Sequence, residues 1–204
     1  VTFDYEQSIQ DIADAIDEAE EYVHIEFYLI EHDESTDCVF EAMRRAKERG
    51  VQIRVLLDHI TSLRYPNFKK TAKSLDEVAT AWAYMLRVRP LHGEYQRPDL
   101  RNHRKLAVVD GKVGFMGSQN LVNSHYNKKG NIKRGLHWRD IMVRVEGPVV
   151  LGLEAVFQGD WLLETGEEIT DATAATLDGV ELPGDLYCQV LPSGPGYGDE
   201  NNLQ

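Results

Sequence analysis

The sequence contains few cysteines and no long apolar run, and both absences narrow the classes of protein to which it can belong. Two cysteines among 204 residues supply neither a disulfide framework nor a cysteine-rich metal cluster. No apolar stretch approaches the length of about 18 residues that a membrane-spanning helix needs, and the chain opens on an acidic segment unlike a signal peptide. With 42% hydrophobic and 27% charged residues, the composition is that of an ordinary soluble globular domain.

Basic residues are scarce at both ends of the chain and concentrated in its middle. Residues 1–50 carry 15 acids and 4 bases, and residues 147–204 carry 11 acids and no base. Residues 87–146 carry 13 bases and 5 acids, in a chain whose net charge is −12. This asymmetry points to an anionic partner, whereas a solvated charged face is the alternative for a charge run considered alone.

The spacing of apolar residues predicts alternating helices and strands. Helices are expected over 5–21, 38–50, 69–86 and 149–166. Strands are expected over 22–30, 51–58 and 139–147, with a hairpin over 103–118 that turns at Asp110-Gly111. The first strand, helix and strand predict a parallel crossover. The fold class is therefore α/β, with a mixed β-sheet flanked by helices.

The stretch NHRKLAVVDGKVGFMGSQN, residues 102–120, holds the side chains best suited to chemistry. In a strand, His103 and Lys105 project from the same face. Ser118 and Asn120 follow the second half of the hairpin and add a hydroxyl and an amide. Together these groups suit a phosphate oxyanion, with a point charge from Lys105, neutral donors, and His103 as nucleophile or acid-base group.

This pattern resembles the H-x-K-x4-D-x6-G-S-x-N motif of the phospholipase D superfamily, with every spacing met. The matching residues are His103, Lys105, Asp110, Gly117, Ser118 and Asn120. Three further segments, residues 23–58, 138–167 and 189–195, resemble bacterial cardiolipin synthases of that superfamily. The resemblance implies a phospholipase D-like half: residues 1–186 are expected to form one domain, and residues 187–204 to begin the connection to a second repeat.

The resemblance also implies roles for the motif residues. First-motif histidines act as the nucleophile in several two-motif members, so we expect His103 to attack phosphorus and form a phosphohistidine. Lys105, Ser118 and Asn120 are expected to hold phosphoryl oxygens. Asp110 belongs to this catalytic motif, but it stands at the turn, so we expect it to fix the hairpin rather than take part in the chemistry.

A nucleophilic imidazole needs an acceptor for its other ring nitrogen. Asp140 is our candidate, because it matches an acid that follows the motif in the family. The alternative is that Asp140 forms a surface ion pair with Arg139 or Arg144. Glu26, on an otherwise apolar strand, is a second possible carboxylate.

A second H-x-K pair is absent from the sequence, although the family's reaction uses two histidines that face each other. The site is therefore completed either by a second copy of the chain in a symmetric dimer or by a C-terminal half. For cardiolipin synthases, the implied reaction joins two phosphatidylglycerol molecules and releases glycerol. The implied mechanism uses no metal or other cofactor, and the sequence offers no ligand cluster at usable spacing.

The resemblance places the full-length protein at the bacterial cell membrane, whereas this piece by itself is expected to be soluble. Residues 127–134, NKKGNIKR, carry four bases and no acid, which suits contact with an anionic membrane surface, although a flexible solvated loop is the alternative. Two other functions stay open: a homodimeric nuclease or phosphodiesterase, and a non-catalytic phosphate-binding half. Because base-stacking aromatics are sparse in the basic region, we expect no nucleic acid partner.

Overall fold

The computed structural model describes residues 1–89, 99–170, 184 and 186–194. The strands are β1 (Tyr22–Phe27), β2 (Gln52–Asp58), β3 (Ala81–Met85), β4 (Lys105–Val109), β5 (Val113–Gly117) and β6 (Met142–Glu146). The helices are α1 (Tyr5–Asp17), α2 (Asp37–Glu48), α3 (His59–Leu63), α4 (Phe68–Val78), α5 (Lys129–Arg134) and α6 (Val149–Thr165). None of these helices is long and apolar enough to cross a lipid bilayer.

The strands form one six-stranded mixed sheet in the order β3-β2-β1-β4-β5-β6. Strands β1, β2 and β3 pair in parallel, as the predicted crossover through α2 requires. Strands β4, β5 and β6 pair antiparallel, with β4 against β1. The predicted α/β class with a mixed sheet is confirmed.

Side chains from alternate strand positions build a core on each face of the sheet. On β4, Ala107 and Val109 join the core formed with α1, α2 and α4, whereas Leu106 and Val108 join the core formed with α6. Because both faces are covered, β1 is buried along its whole length. Full burial of each large apolar side chain contributes about 1.5–3 kcal/mol, so this sheet is a rigid platform for the residues at its edges.

The helix predicted over 69–86 is wrong in its second half. Helix α4 ends at Val78, and the following residues form β3, which pairs in parallel with β2. Thr80 makes the break, because its hydroxyl accepts from the backbone N–H of Ile53 at 3.0 Å while its own N–H donates to the Ile53 carbonyl at 2.8 Å. Pairing with the open edge of β2 therefore overrides the helical spacing.

The hairpin predicted at Asp110-Gly111 is confirmed. Both residues have positive φ, 51° and 62°, and Val109 pairs with Val113 across the turn. Strand β1 is shorter than predicted, because the backbone N–H of Leu29 donates to the side chain of Asn120 rather than to a neighbouring strand.

Candidate active site

The hairpin brings both halves of the motif to one edge of the sheet. Lys105 opens β4 beside Phe27, the last residue of β1, and Gly117 closes β5 beside Met142, the first residue of β6. His103 directly precedes this edge. The side chains that the sequence predicted to act together therefore converge, with the exception of the motif aspartate.

His103 is solvent-exposed and stacks on Tyr28, with ring centroids 3.8 Å apart and planes at 26°. Partial burial lowers the pKa of His103, the charge of Lys105 lowers it further, and the charge of Asp58 opposes both. The imidazole is thus held in its neutral, nucleophilic form at neutral pH. Among the residues that the structure describes, none hydrogen-bonds to the imidazole.

Lys105 is half-buried beside the histidine. Its ammonium lies 5.2 Å from the centroid of the Tyr28 ring and donates to the backbone carbonyl of His103. Burial lowers the pKa of Lys105 to about 8, against the opposing charge of Asp140. An ammonium that is already partly desolvated interacts strongly with an incoming phosphate.

The structure gives Asp140 a different partner from the predicted one. Its Oδ1 accepts from the hydroxyl of Ser118 at 2.7 Å, rather than from the ring of His103. The Ser118 hydroxyl in turn accepts from the backbone N–H of Ile141 at 3.1 Å. The alternative ion pair with Arg144 is not formed either, since that guanidinium binds Glu146. Asp140 therefore accepts the one hydrogen bond that the Ser118 hydroxyl can donate, and it places a negative charge near Lys105.

Asn120 is buried, and both the oxygen and the nitrogen of its side-chain amide form hydrogen bonds within the protein. Its Oδ1 accepts from the backbone N–H of Leu29 at 3.1 Å, and its Nδ2 donates to the hydroxyl of Tyr126 at 3.0 Å. One N–H of the amide has no partner among the described residues. Asn120 thus fixes the chain after β1 against the loop after β5, with one donor left for a ligand.

Asp110 lies at the opposite end of β4 from His103. Its carboxylate accepts three backbone N–H groups, from Glu20 at 2.8 Å, Glu21 at 2.9 Å and Tyr22 at 2.8 Å. The motif aspartate therefore ties the connection between α1 and β1 to the hairpin. Its position separates it from the reacting groups, as its place at the turn predicts.

Two buried acids lie behind His103, on the α6 side of the sheet. Asn102 donates to Glu26 at 2.8 Å and to Asp160 at 3.1 Å, and the guanidinium of Arg104 pairs with Asp160. The backbone N–H of Arg104 also donates to the side chain of Asn102 at 3.0 Å. Both neighbours of His103 along the chain are therefore held by this network.

Burial and the adjacent charge of Asp160 raise the pKa of Glu26 well above its ordinary value. Two adjacent buried carboxylates repel each other, which favours a proton on Glu26. Glu26 was the second possible carboxylate for the His103 ring. It instead accepts from Asn102, the residue directly before His103. Asp160 was missed, although an acid one turn after Phe157 and next to Trp161, on the apolar face of α6, was a signal.

A further buried acid, Asp58, ends β2 on the same side of the molecule. Its carboxylate accepts from Arg101 Nε at 2.7 Å and caps α3 through the backbone N–H of Thr61 at 2.7 Å. The charge of Asp58 also acts on His103: it favours the protonated imidazole and so opposes the overall lowering of its pKa. Sequence reasoning missed it, although an acid directly after a buried strand of a parallel sheet was a signal.

Comparison with known proteins agrees with this geometry. A family profile described as "cardiolipin synthase, PLD-like domain" matches residues 12–161. The chain belongs to the phospholipase D superfamily. Cardiolipin synthase A of Wigglesworthia glossinidia brevipalpis is 33% identical over 200 residues, which cover 96% of this chain and 39% of that protein. For cardiolipin synthase A of Proteus mirabilis, the identity is 30% over 197 residues, covering 96% and 40%.

This phospholipase D-like chain therefore spans about two fifths of the length of these curated relatives. Solved structures share its fold at low identity. NucT from Helicobacter pylori aligns with a TM-score of 0.55 and 17% identity, over 76% of this chain and 87% of that one. Nuc from Salmonella typhimurium, a phospholipase D family member, aligns with a TM-score of 0.55 and 16% identity, over 74% and 85%.

Proposed function

We propose that this chain supplies one half of a phosphatidyl-transfer site, which joins two phosphatidylglycerol molecules into cardiolipin and releases glycerol. The observation that carries the proposal is the pairing of an exposed imidazole, His103, with the ammonium of Lys105 at the open edge of the sheet. The relatives named cardiolipin synthase support the choice of substrate.

In the first step, the neutral imidazole of His103 attacks the phosphorus of phosphatidylglycerol. A phosphorus–nitrogen bond forms while the bond from phosphorus to the glycerol oxygen breaks, and the departing glycerol takes a proton from a second histidine. The ammonium of Lys105 stabilises the phosphoryl oxygens, and the hydroxyl of Ser118 joins it by turning its single proton from Asp140 to the phosphate. Asp140 holds that hydroxyl at the site until the phosphate arrives, and its charge opposes the effect of burial on the pKa of Lys105.

In the second step, a hydroxyl of another phosphatidylglycerol attacks the phosphohistidine. The second histidine accepts the hydroxyl proton, the phosphorus–nitrogen bond breaks, and the His103 imidazole is restored. We expect the second histidine to come from another H-x-K motif, either in a C-terminal half or in a second copy of this chain. In this mechanism the second histidine is the general acid and base, and His103 is the nucleophile.

The role of His103 can be tested without the second half. Dihexanoyl phosphatidyl-p-nitrophenol carries a leaving group that departs without protonation, so the nucleophile alone should release it. We expect one equivalent of p-nitrophenol per chain, together with an acid-labile phosphatidyl adduct in the intact mass. The matched His103→Asn variant should give neither, and a wild-type chain without adduct would contradict the proposal.

The substrate is tested separately by product analysis with phosphatidylglycerol vesicles. The wild type is compared directly with the His103→Asn control. If the wild type forms cardiolipin and glycerol and the variant forms neither, copies of the chain complete the site by self-association. Plasmid DNA supplied in the same assay addresses the alternative phosphodiesterase function. Cleavage of DNA with no cardiolipin would favour the nuclease over the lipid transferase.

A further inference from the structure

The connection between β5 and β6 carries an exposed surface that combines bases with large apolar side chains. Its bases are Lys128, Lys129, Lys133, Arg134 and Arg139, and its apolar members are Ile132, Leu136 and Trp138. We call these eight residues the basic-apolar surface. The three apolar side chains are exposed by 53%, 41% and 55% respectively, which is unusual for residues of their size on a protein surface in water.

The charge of this surface is uncompensated. Residues 127–139 contain five bases and no acid, although the chain as a whole has a net charge of −12. Within the described residues, none of the five bases forms an ion pair. In a chain that is acidic as a whole, this cluster of bases therefore attracts an anionic partner to this side of the molecule.

The backbone holds the apolar side chains outward. The N–H of Leu136 donates to the carbonyl of Asn131 at 2.9 Å, and the N–H of Trp138 donates to the carbonyl of Ser124 at 2.8 Å. The indole of Trp138 lies 5.5 Å from the ring of Tyr126, which in turn accepts from the motif asparagine. The surface is thus a folded part of the wall of the active site.

We propose that the basic-apolar surface docks on an anionic phospholipid bilayer. Ile132, Leu136 and Trp138 enter the headgroup region, and the surrounding bases contact anionic headgroups. The inference rests on the proposed function. The connection leaves the site at Ser118 and returns to it at Asp140, so a bilayer bound here presents lipid phosphates beside the catalytic histidine.

Other occupants fit this surface less well. Nucleic acid would use flat side chains for base stacking, whereas two of the three exposed apolar groups are the aliphatic Ile132 and Leu136. A protein partner would bury five bases, and each would then require a matching acid to offset the cost of desolvation. A bilayer offers apolar depth and negative charge in adjacent layers, which is the arrangement that the surface complements.

The first test compares two charge-matched double variants in sedimentation with vesicles of mixed phosphatidylglycerol and phosphatidylcholine. Lys129→Gln with Lys133→Gln should weaken binding about 30-fold, since each base near an anionic surface contributes about fivefold. The control, Arg44→Gln with Lys112→Gln, removes the same charge outside the surface and should bind like the wild type. Vesicles of phosphatidylcholine alone should bind the wild type weakly.

The second test follows the depth of Trp138. Of the three tryptophans, Trp161 is 1% exposed and sealed in the core, so a Trp82→Phe background leaves Trp138 as the accessible fluorophore. Anionic vesicles should shift its emission to shorter wavelength, and brominated acyl chains should quench it. The same vesicles should leave the emission of a Trp82→Phe, Trp138→Phe chain unchanged.

Equal binding by the two double variants, or Trp138 emission unaffected by brominated lipid, would overturn the docking proposal. A dimer that forms without lipid and is lost in Lys129→Gln with Lys133→Gln would also overturn it, because the surface would then bind a second copy. The His103→Asn variant separates this proposal from the proposed function. Vesicle binding without adduct formation would refute the reaction alone, and adduct formation from the water-soluble ester without vesicle binding would refute the docking alone.

Discussion

His103 and Tyr28 form a stacked pair at the edge of the sheet, with their ring centroids 3.8 Å apart. The stack covers one face of the imidazole and limits its rotation about the side-chain bonds. Because Tyr28 directly follows β1, a buried strand, the orientation of the imidazole is coupled to the core.

Replacing Tyr28 with alanine should slow formation of the phosphatidyl adduct about 10- to 100-fold, because the imidazole loses its preferred orientation. The loss of cover should also move the pKa of His103 back toward 6.5, since partial burial is the main cause of its depression. An NMR titration of the imidazole protons measures this directly. Tyr28→Phe preserves the stack and should retain both properties, and an equal change in both variants would contradict this explanation.

Lys105 should lose its positive charge as the pH rises through about 8. Affinity for dimethyl phosphate, whose single charge is constant over this range, should therefore fall between pH 7 and pH 9. Lys105→Arg introduces a guanidinium that stays protonated over this range, so the affinity of this variant for dimethyl phosphate should be independent of pH. NMR titrations with the diester at several pH values make the comparison. Parallel curves for the two proteins would show that another group controls binding.

Removing the Asp110 carboxylate should reduce stability without affecting the site. Asp110→Ala deletes the acceptor of three backbone N–H groups, and we expect a loss of about 1–3 kcal/mol in the free energy of unfolding. Urea unfolding measures the loss. Dimethyl phosphate binding by the folded variant should equal that of the wild type, and a selective loss of binding would instead give the aspartate a chemical role.

Glu26 should make the protein less stable as the pH rises. Its folded-state pKa lies above its ordinary value of 4.5, so the folded state binds more protons than the unfolded state above that pH. The associated stability is fully present below pH 4.5 and is lost as the pH rises toward the folded-state pKa. Glu26→Gln removes this dependence, and its advantage over the wild type in urea unfolding should grow with pH. Glu48→Gln, on the exposed surface of α2, should run parallel to the wild type.

Gly117→Ala should separate β5 from β6 at the active site. A Cβ at this position would lie 2.1 Å from the backbone carbonyl oxygen of Ile141, so the strands must shift. We expect a loss of about 1–3 kcal/mol, measured by thermal or urea unfolding, together with weaker phosphate binding. Gly130→Ala is the matched control, since its Cβ meets nothing within 4 Å and should leave stability unchanged or slightly higher.

Sequence reasoning brought the motif residues other than Asp110 to one edge of the sheet because the signals for it are local. The positions of His103 and Lys105 follow from the period of a strand, and the turn at Asp110-Gly111 follows from backbone conformations that few residue pairs adopt. The boundary between α4 and β3 depended instead on the open edge of β2, which is distant in sequence. Local spacing therefore favoured a continuous helix over residues that the sheet recruits.

The partners of the site residues were beyond local reasoning. Ser118 and Asp140 are 22 positions apart, and their hydrogen bond depends on how β6 pairs with β5. Glu26 and Asp160 meet only because α6 packs across β1. Each acid looked unpaired in the sequence, since the burial that gives it a partner exists only after the sheet and helices have assembled.

Strand β4 is anchored at both ends. At one end, Asp110 binds the connection before β1, and at the other, Asn102 and Arg104 bind two buried acids. The backbone of His103 lies between the residues of that second anchor and is thereby fixed to the sheet. In the proposed transfer, His103 is therefore the stationary component, and the phosphatidyl group is what moves, from the departing glycerol to His103 and from there to the incoming hydroxyl.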